Sequence, residues 1–196
     1  MATLLASFTH KAGTLFYFDT SAVFPLALRA AGTRNQQELD RARLISDFLE
    51  HARRNSSRAL CSVLALEEIA AHTRNKKQYD VLKRVCHDTW RHFRDADPAG
   101  AEGEGKTIQS AVLKMLTHTA DALGSAGITV EQPIVDNASE AGRRLRKAHR
   151  EFLSHYHAID SMDALHIALG SMLGCKHFIT FDKHWAAVTE VDILYS

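Results

Sequence analysis

The sequence is poor in cysteine and has no long apolar run. Its three cysteines, Cys61, Cys86 and Cys175, are far apart, and none forms a CxxC pair. This usage indicates reduced thiols rather than a disulfide framework. No apolar run approaches the roughly 20 residues that a membrane helix needs, and the first residues lack the basic segment of a signal peptide. We therefore expect a cytoplasmic protein that is not inserted in a membrane.

An excess of charge of either sign is also missing. The chain has 24 Lys and Arg against 23 Asp and Glu, a formal net charge of +1. Net charge therefore does not indicate a nucleic-acid-binding protein, and any such surface must be a local patch. Hydrophobic residues make up 45% of the 196 residues. A chain of this length and composition can bury a substantial core, and we predict one domain over 1–196.

Short apolar strands alternate with helical segments along the chain. The predicted strands cover 14–18, 58–63, 127–130, 177–180 and 191–195. The predicted helices cover about 21–31, 36–54, 64–72, 76–95, 107–123, 137–155 and 161–173, and Ser21 is the predicted cap of the first. This alternation predicts an α/β fold with a mostly parallel central sheet that is covered by helices on both faces.

Two stretches stand apart from this pattern. Residues 1–13 are predicted to be an N-terminal extension. Residues of about 75–125 form a longer helical segment, and within it the loop 95–106 holds four Gly and Pro residues. This loop is not interpreted as a domain linker, because neither side of it forms a separate alternating pattern.

Acidic residues follow three of the predicted strands. Asp19 comes directly after the aromatic strand "TLFYF", and Asp182 follows "HFITF". Ligands of open parallel sheets bind outside the carboxyl ends of the strands, so both acids are expected at one end of the sheet. Glu67 and Glu68 lie one helical turn past "LCSV", and Glu68 shares a helix face with apolar residues. Capping of a helix is the alternative explanation for Asp19.

A further acid lies on an apolar helix stripe in "HAIDSMDALHIALG", which also contains His166. Asp163 is costly there unless it is paired, hydrogen-bonded or bound to a metal. The alternative is a capping box in which Asp160 caps the helix and Asp163 reinforces it. Converging carboxylates repel one another unless a cation neutralises them, and oxygen ligands suit Mg²⁺. No Cys/His cluster has zinc spacing, and most of the 12 histidines are interpreted as surface or packing residues.

The stretches "FDTSAVFP", "SVLALEEIA", "MDALHIALG" and "FITFDKHW" resemble, in this order, the motifs of PIN-domain nucleases, among them the VapC-type toxins. The resemblance covers nearly the whole chain. It implies a PIN-like three-layer fold and Mg²⁺- or Mn²⁺-dependent hydrolysis of RNA phosphodiester bonds. It further implies an RNA substrate, and it makes an antitoxin protein and a second copy of the chain candidate partners.

Matched residue by residue, the family's catalytic and metal-binding acids fall on Asp19, Glu68, Asp163 and Asp182. Glu68 is preferred over Glu67 because the family's acid directly precedes an aliphatic residue. Thr180 matches a position at which the family often has a hydroxyl.

A basic stripe lies in "EAGRRLRKAHREF". Its members follow the spacing i, i+3, i+4, i+7, which places them on one helix face: Arg143, Arg146, Lys147 and Arg150. We predict that this stripe binds RNA phosphates beside the acidic pocket. A solvated helix face is the alternative explanation, although such faces tend to mix both signs of charge.

Three other functions stay open at this point. An aspartate-nucleophile phosphatase would have DxDx[TV], and "DTSAV" lacks the second acid. A non-catalytic PIN-like module that binds RNA or acts as a scaffold would not need the complete acidic set. A structure-specific DNA nuclease of the flap-endonuclease type tends to be longer and to carry additional acids.

Overall fold

The computed structural model describes residues 3–5, 8–9, 11–75, 116–131, 140–156 and 159–195. Within these residues the strands are β1 (Thr3–Leu4), β2 (Leu15–Phe18), β3 (Arg58–Ser62), β4 (Ile128–Glu131), β5 (His177–Thr180) and β6 (Asp192–Tyr195). The helices are α1 (Thr20–Ala30), α2 (Gln36–Arg54), α3 (Val63–Asn75), α4 (described over 116–125), α5 (Glu140–His155) and α6 (Ser161–Met172), with a short 3-10 helix at Lys183–Ala187.

The strands form one sheet in the order β1-β6-β5-β2-β3-β4, and every pair in the described part of the chain is parallel. The chain runs from the central β2 outward to β3 and β4, and then returns to the other side of β2 for β5 and β6. The strand order therefore reverses between β2 and β5. Ligands of open α/β sheets bind at this kind of switch point, outside the carboxyl ends of the strands.

Helices cover both faces of the sheet, because successive side chains of a strand point to opposite faces. Phe16 and Phe18 of β2 pack on one face, in a core that also takes residues from α1, α2, α3 and α4. Tyr17 packs on the other face, in a core built with α5, α6 and Trp185. The predicted α/β fold with a parallel sheet between two helical layers is confirmed.

Most predicted elements lie within one or two residues of the observed ones, and two differ in kind. The cap of α1 is Asp19 rather than the predicted Ser21, which lies in the first turn and donates its hydroxyl to Asp19. The N-terminal stretch is not only an extension, because Thr3 pairs with Leu194 and adds β1 to the sheet. The predictions for 76–95, 95–106 and 107–115 lie outside the described residues. None of the described helices combines the length and the apolar character that crossing a membrane requires.

Gly170 allows α6 to lie close against the sheet. A Cβ atom at this position would be 2.4 Å from a ring carbon of Phe178 and 2.8 Å from Cγ of Tyr17. A side chain here would therefore push α6 away from β2 and β5. The close approach brings His166, one helical turn earlier, within hydrogen-bond distance of Tyr17.

Candidate active site

A cavity of about 250 Å³ opens at the carboxyl end of the sheet, where β2 and β5 end. Its lining includes five acids from four elements, Asp19, Glu68, Asp160, Asp163 and Asp182. The other lining residues are Thr20, Ser21, Phe24, Met162 and His166. The four acids singled out in the sequence thus line one cavity at the switch point of the sheet. Their roles as catalytic residues and metal ligands stay predictions.

Asp19 both caps a helix and lines the cavity. Its side chain is 4% exposed, and its carboxylate accepts hydrogen bonds from the backbone N–H of Ala22 (2.9 Å) and the hydroxyl of Thr180 (2.8 Å). Burial raises the pKa of Asp19 to about 6, although His166 and the hydrogen bonds from Thr180, Ala22 and Ser21 act in the opposite direction. The two explanations considered for this residue therefore do not exclude each other.

Asp163 takes part in the capping box that the sequence offered as an alternative. Its Oδ2 accepts from the backbone N–H of Asp160 (3.1 Å), and Asp160 accepts from the backbone N–H of Asp163 (2.9 Å). Burial raises the pKa of Asp163, and the indole N–H of Trp185 acts against this rise. Trp185 Nε1 has no partner within hydrogen-bond geometry among the described residues, so the indole acts on Asp163 from beyond hydrogen-bond distance or angle.

Asp182 is partly exposed, with 37% of its side chain accessible. It caps the 3-10 helix by accepting from the backbone N–H of His184 at 2.9 Å. Its own N–H donates to Oγ1 of Thr180 (2.9 Å), and the same hydroxyl donates to Asp19. Thr180 therefore links the two acids that follow β2 and β5.

Glu68 lies in the second turn of α3 and is held by side chains. Its Oε2 accepts a hydrogen bond from the hydroxyl of Thr20 and lies 2.8 Å from Nε2 of His166. Glu67, in contrast, is exposed and does not line the cavity. Of the two glutamates, only Glu68 lines the cavity, and its role in the site stays a prediction.

Two cavity residues were not predicted as part of the site. The sequence assigns His166 no role in the site, yet it is 2% exposed and contacts Glu68. Its position three residues after Asp163, inside an apolar stripe, was the available signal. Asp160 was assigned to capping alone, and it also lines the cavity.

The donor set of the cavity fits a hard divalent cation, since it consists mainly of carboxylate and hydroxyl oxygens, which Mg²⁺ and Mn²⁺ prefer. In this structure the described side chains of the cavity do not form a metal-ligand set. Among the described residues, no three His, Cys, Asp or Glu side chains are close enough together to hold one metal ion. Hydrogen bonds from Thr180, Thr20 and His166 hold two of the carboxylates in their present positions.

The basic stripe lies on an exposed face of α5, and all four of its residues are exposed. Lys147 pairs with Glu151 at 3.8 Å, so the face is not entirely of one sign. Nε2 of His149 lies 2.9 Å from the carbonyl oxygen of Ser161, which joins α5 to the first turn of α6. That turn carries Asp163, so α5 contacts the turn that lines the cavity. The placement of the stripe beside the cavity stays a prediction. RNA binding by the stripe stays a prediction.

No family model and no curated protein matches the sequence. Among solved structures, the chain is similar to the crystal structure of VapBC2 from Rickettsia felis bound to a DNA fragment from their promoter. The identity is 10%, the alignment covers 93% of this chain and 99% of that chain, and the TM-score is 0.44. Likeness at this level does not establish a shared activity or partner.

Proposed function

We propose that the protein is a divalent-cation-dependent endoribonuclease of the toxin type. One observation carries the proposal: acids from four elements, far apart in sequence, line one cavity at the switch point of a parallel sheet. The motif resemblance described above supplies the reaction class. Four of the five acids that line the cavity are those that the resemblance singles out, namely Asp19, Glu68, Asp163 and Asp182.

These four residues would hold the cation, which we propose to be Mg²⁺ or Mn²⁺. A cation bound there would polarise a phosphate oxygen and make water a better nucleophile at neutral pH. Asp19 and Asp182 are suited to this role because the hydroxyl of Thr180 bonds to the carboxylate of Asp19 and to the backbone N–H of Asp182, which holds the two residues side by side. A cation would also relieve the unfavourable burial of Asp19, whose pKa is raised.

RNA would approach along the basic stripe of α5. A polyanion is repelled by a cluster of carboxylates, so phosphates need cationic side chains beside the cavity. Arg146 and Arg150 flank His149, which bonds to the first turn of α6. On the motif resemblance alone, we propose an antitoxin protein as a partner and a homodimer as the assembly.

Cleavage assays with the full chain test this proposal. The substrates are a single-stranded RNA, a structured RNA and a flap DNA, each with Mg²⁺ or with EDTA. We expect Mg²⁺-dependent RNA cleavage that falls at least about 100-fold in Asp182→Asn, since charge-stabilising groups typically contribute factors of that size. Asp192→Asn, an exposed acid at the start of β6 and thus at the opposite end of the sheet, is the matched control and should cleave like the wild type.

Other results would favour the competing functions. RNA binding without cleavage would favour a non-catalytic module, and a preference for flap DNA would favour a DNA nuclease. Cleavage that survives EDTA would contradict the proposal. Induced expression in a bacterial host adds the toxin test, with growth arrest expected for the wild type and not for Asp19→Asn.

A further inference from the structure

A chain of buried hydrogen bonds runs from the sheet to Glu68. The hydroxyl of Tyr17 lies 2.9 Å from Oγ of Ser62 and 2.8 Å from Nδ1 of His166. The other ring nitrogen of His166 lies 2.8 Å from Oε2 of Glu68. Tyr17 and Ser62 are fully buried and His166 is 2% exposed. The elements β2, β3, α6 and α3 each contribute one of these four residues.

Packing alone does not explain these side chains. Tyr17 lies in the central strand among apolar and aromatic neighbours, where phenylalanine would fill the same volume. Burial of a hydroxyl or an imidazole costs free energy unless each polar atom finds a partner. Here every polar atom of Tyr17 and His166 has one, and the chain of partners ends at the cavity.

Glu68 needs such support more than the three aspartates do. Asp19, Asp163 and Asp182 each accept a backbone N–H at the start of a helix, which fixes their carboxylates. Glu68 is not at a helix start, and its side chain is longer and has more rotamer freedom to lose. The side chains of Thr20 and His166 contact its Oε2.

The contacts also determine which group donates to Glu68. A carboxylate only accepts hydrogen bonds, so Nε2 of His166 must carry the hydrogen that faces Glu68. Nδ1 of the same ring lies 2.8 Å from the hydroxyl of Tyr17, which itself donates to Oγ of Ser62. Tyr17 therefore fixes the orientation of the ring, and with it the direction of the Nε2–H.

We infer that Tyr17 and His166 are positioning residues that hold the carboxylate of Glu68 ready for the cation. This inference rests on the proposed function. Partners of this kind behind a metal ligand typically change metal affinity or activity 10- to 100-fold when they are removed. Thr20 supports the same oxygen from α1 and lies 3.2 Å from Nε2 of His166.

Mn²⁺ titration of the metal-free protein, followed by electron paramagnetic resonance of the free ion, tests the inference. We expect Tyr17→Phe and His166→Leu to weaken Mn²⁺ binding about 10-fold or more. His166→Gln should bind more tightly than His166→Leu, because an amide N–H can replace the Nε2–H. The control is His177→Gln, a partly buried histidine at the start of β5 and thus at the opposite end of the sheet, which should bind like the wild type.

Melting temperatures without metal separate a positioning role from a structural one. A purely structural role would lower the melting temperature of folded Tyr17→Phe and leave its Mn²⁺ affinity unchanged, which would overturn the inference. Nitrogen NMR of the wild type keeps the test independent of how the variants fold: we expect His166 to carry hydrogen on Nε2, and an Nε2 without hydrogen would overturn the inference. A wild type that binds no Mn²⁺ would refute the proposed function, while the NMR result would still decide the hydrogen-bond arrangement.

Discussion

Three aspartates of the cavity each accept a hydrogen bond from a backbone N–H at the start of a helix. They are Asp19 in α1, Asp163 in the capping box of α6 and Asp182 in the 3-10 helix. The same aspartate can cap a helix and line the cavity, because helices that run antiparallel to the strands begin at the carboxyl end of the sheet. Capping fixes each carboxylate, and a metal ligand also has to be fixed.

Asp19→Asn should make the metal-free protein more stable at neutral pH. The pKa of Asp19 is about 6 in the folded protein against an ordinary value of 3.8, so the folded state holds a proton that the unfolded state loses between these values. The wild type therefore loses stability as pH rises from about 4 to above 6, by at most about 3 kcal/mol. Asparagine does not titrate and still caps the helix.

Urea unfolding of both proteins in EDTA at pH 4, 5, 6 and 7 measures this difference. We expect the free energy of unfolding of Asp19→Asn, relative to the wild type, to increase across this range and then to level off. A difference that does not change with pH would show that Asp19 is not destabilised by burial.

Substitutions of Asp163 should separate its capping role from its charge. Asp163→Asn keeps an oxygen that can accept from the backbone N–H of Asp160 and removes a carboxylate whose pKa burial raises. We expect an unchanged or higher melting temperature without metal, together with loss of RNA cleavage. Asp163→Ala loses the cap as well and should cost about 1 kcal/mol in the free energy of unfolding. Equal melting temperatures for the two variants would refute the capping role.

At the scale of elements, a helix with strong apolar periodicity could be predicted from the sequence. An element that depends on pairing with a distant strand could not. The helix Gln36–Arg54 was predicted at its observed bounds, because its apolar residues repeat at helical spacing. β1 has only two residues and exists through pairing with β6, so no local pattern could indicate it. Ser21 suits a cap position as well as Asp19 does by residue type. Only the structure shows that Ser21 donates to Asp19.

Gly170→Ala should destabilise the protein by moving α6 away from the sheet. The added methyl group would overlap Phe178 and Tyr17 at 2.4 and 2.8 Å, and overpacking of this kind typically costs about 1–3 kcal/mol. Gly124→Ala in α4 is the matched control. Its Cβ meets nothing within 4 Å, so it should gain up to about 1 kcal/mol from helix propensity. Chemical denaturation measures both, and a neutral Gly170→Ala would contradict the close packing of α6.

The basic stripe should determine how RNA binding depends on salt. Each phosphate contact contributes roughly one unit to the slope of log K against log salt concentration. The double variant Arg146→Ala/Lys147→Ala should therefore bind RNA more weakly and with a flatter slope, and its Mn²⁺ affinity should hardly change. Arg43→Ala/Arg54→Ala on α2 removes two exposed arginines as a charge-matched control. An unchanged slope in the first variant would mean that the stripe is a solvated helix face.

At the scale of the whole molecule, the parallel sheet brings together residues that are far apart in the sequence. Asp19 and Asp182 could be predicted at one end of the sheet because each follows a strand, and parallel strands end on the same side. The partners of Glu68 could not be predicted. An imidazole in an apolar stripe and a tyrosine in an apolar strand are both ordinary packing residues until the approach of α6 to β2 brings them into contact.

The central claim is that the four acids bind one kind of divalent cation together. Its most direct test is a Mn²⁺ titration of the metal-free wild type and of Asp19→Asn, Glu68→Gln, Asp163→Asn and Asp182→Asn, with Asp192→Asn as the control. The claim predicts saturable binding by the wild type and by the control, and binding at least about 10-fold weaker in each of the four variants. A wild type that shows no saturable binding, or four variants that bind like the wild type, would contradict it.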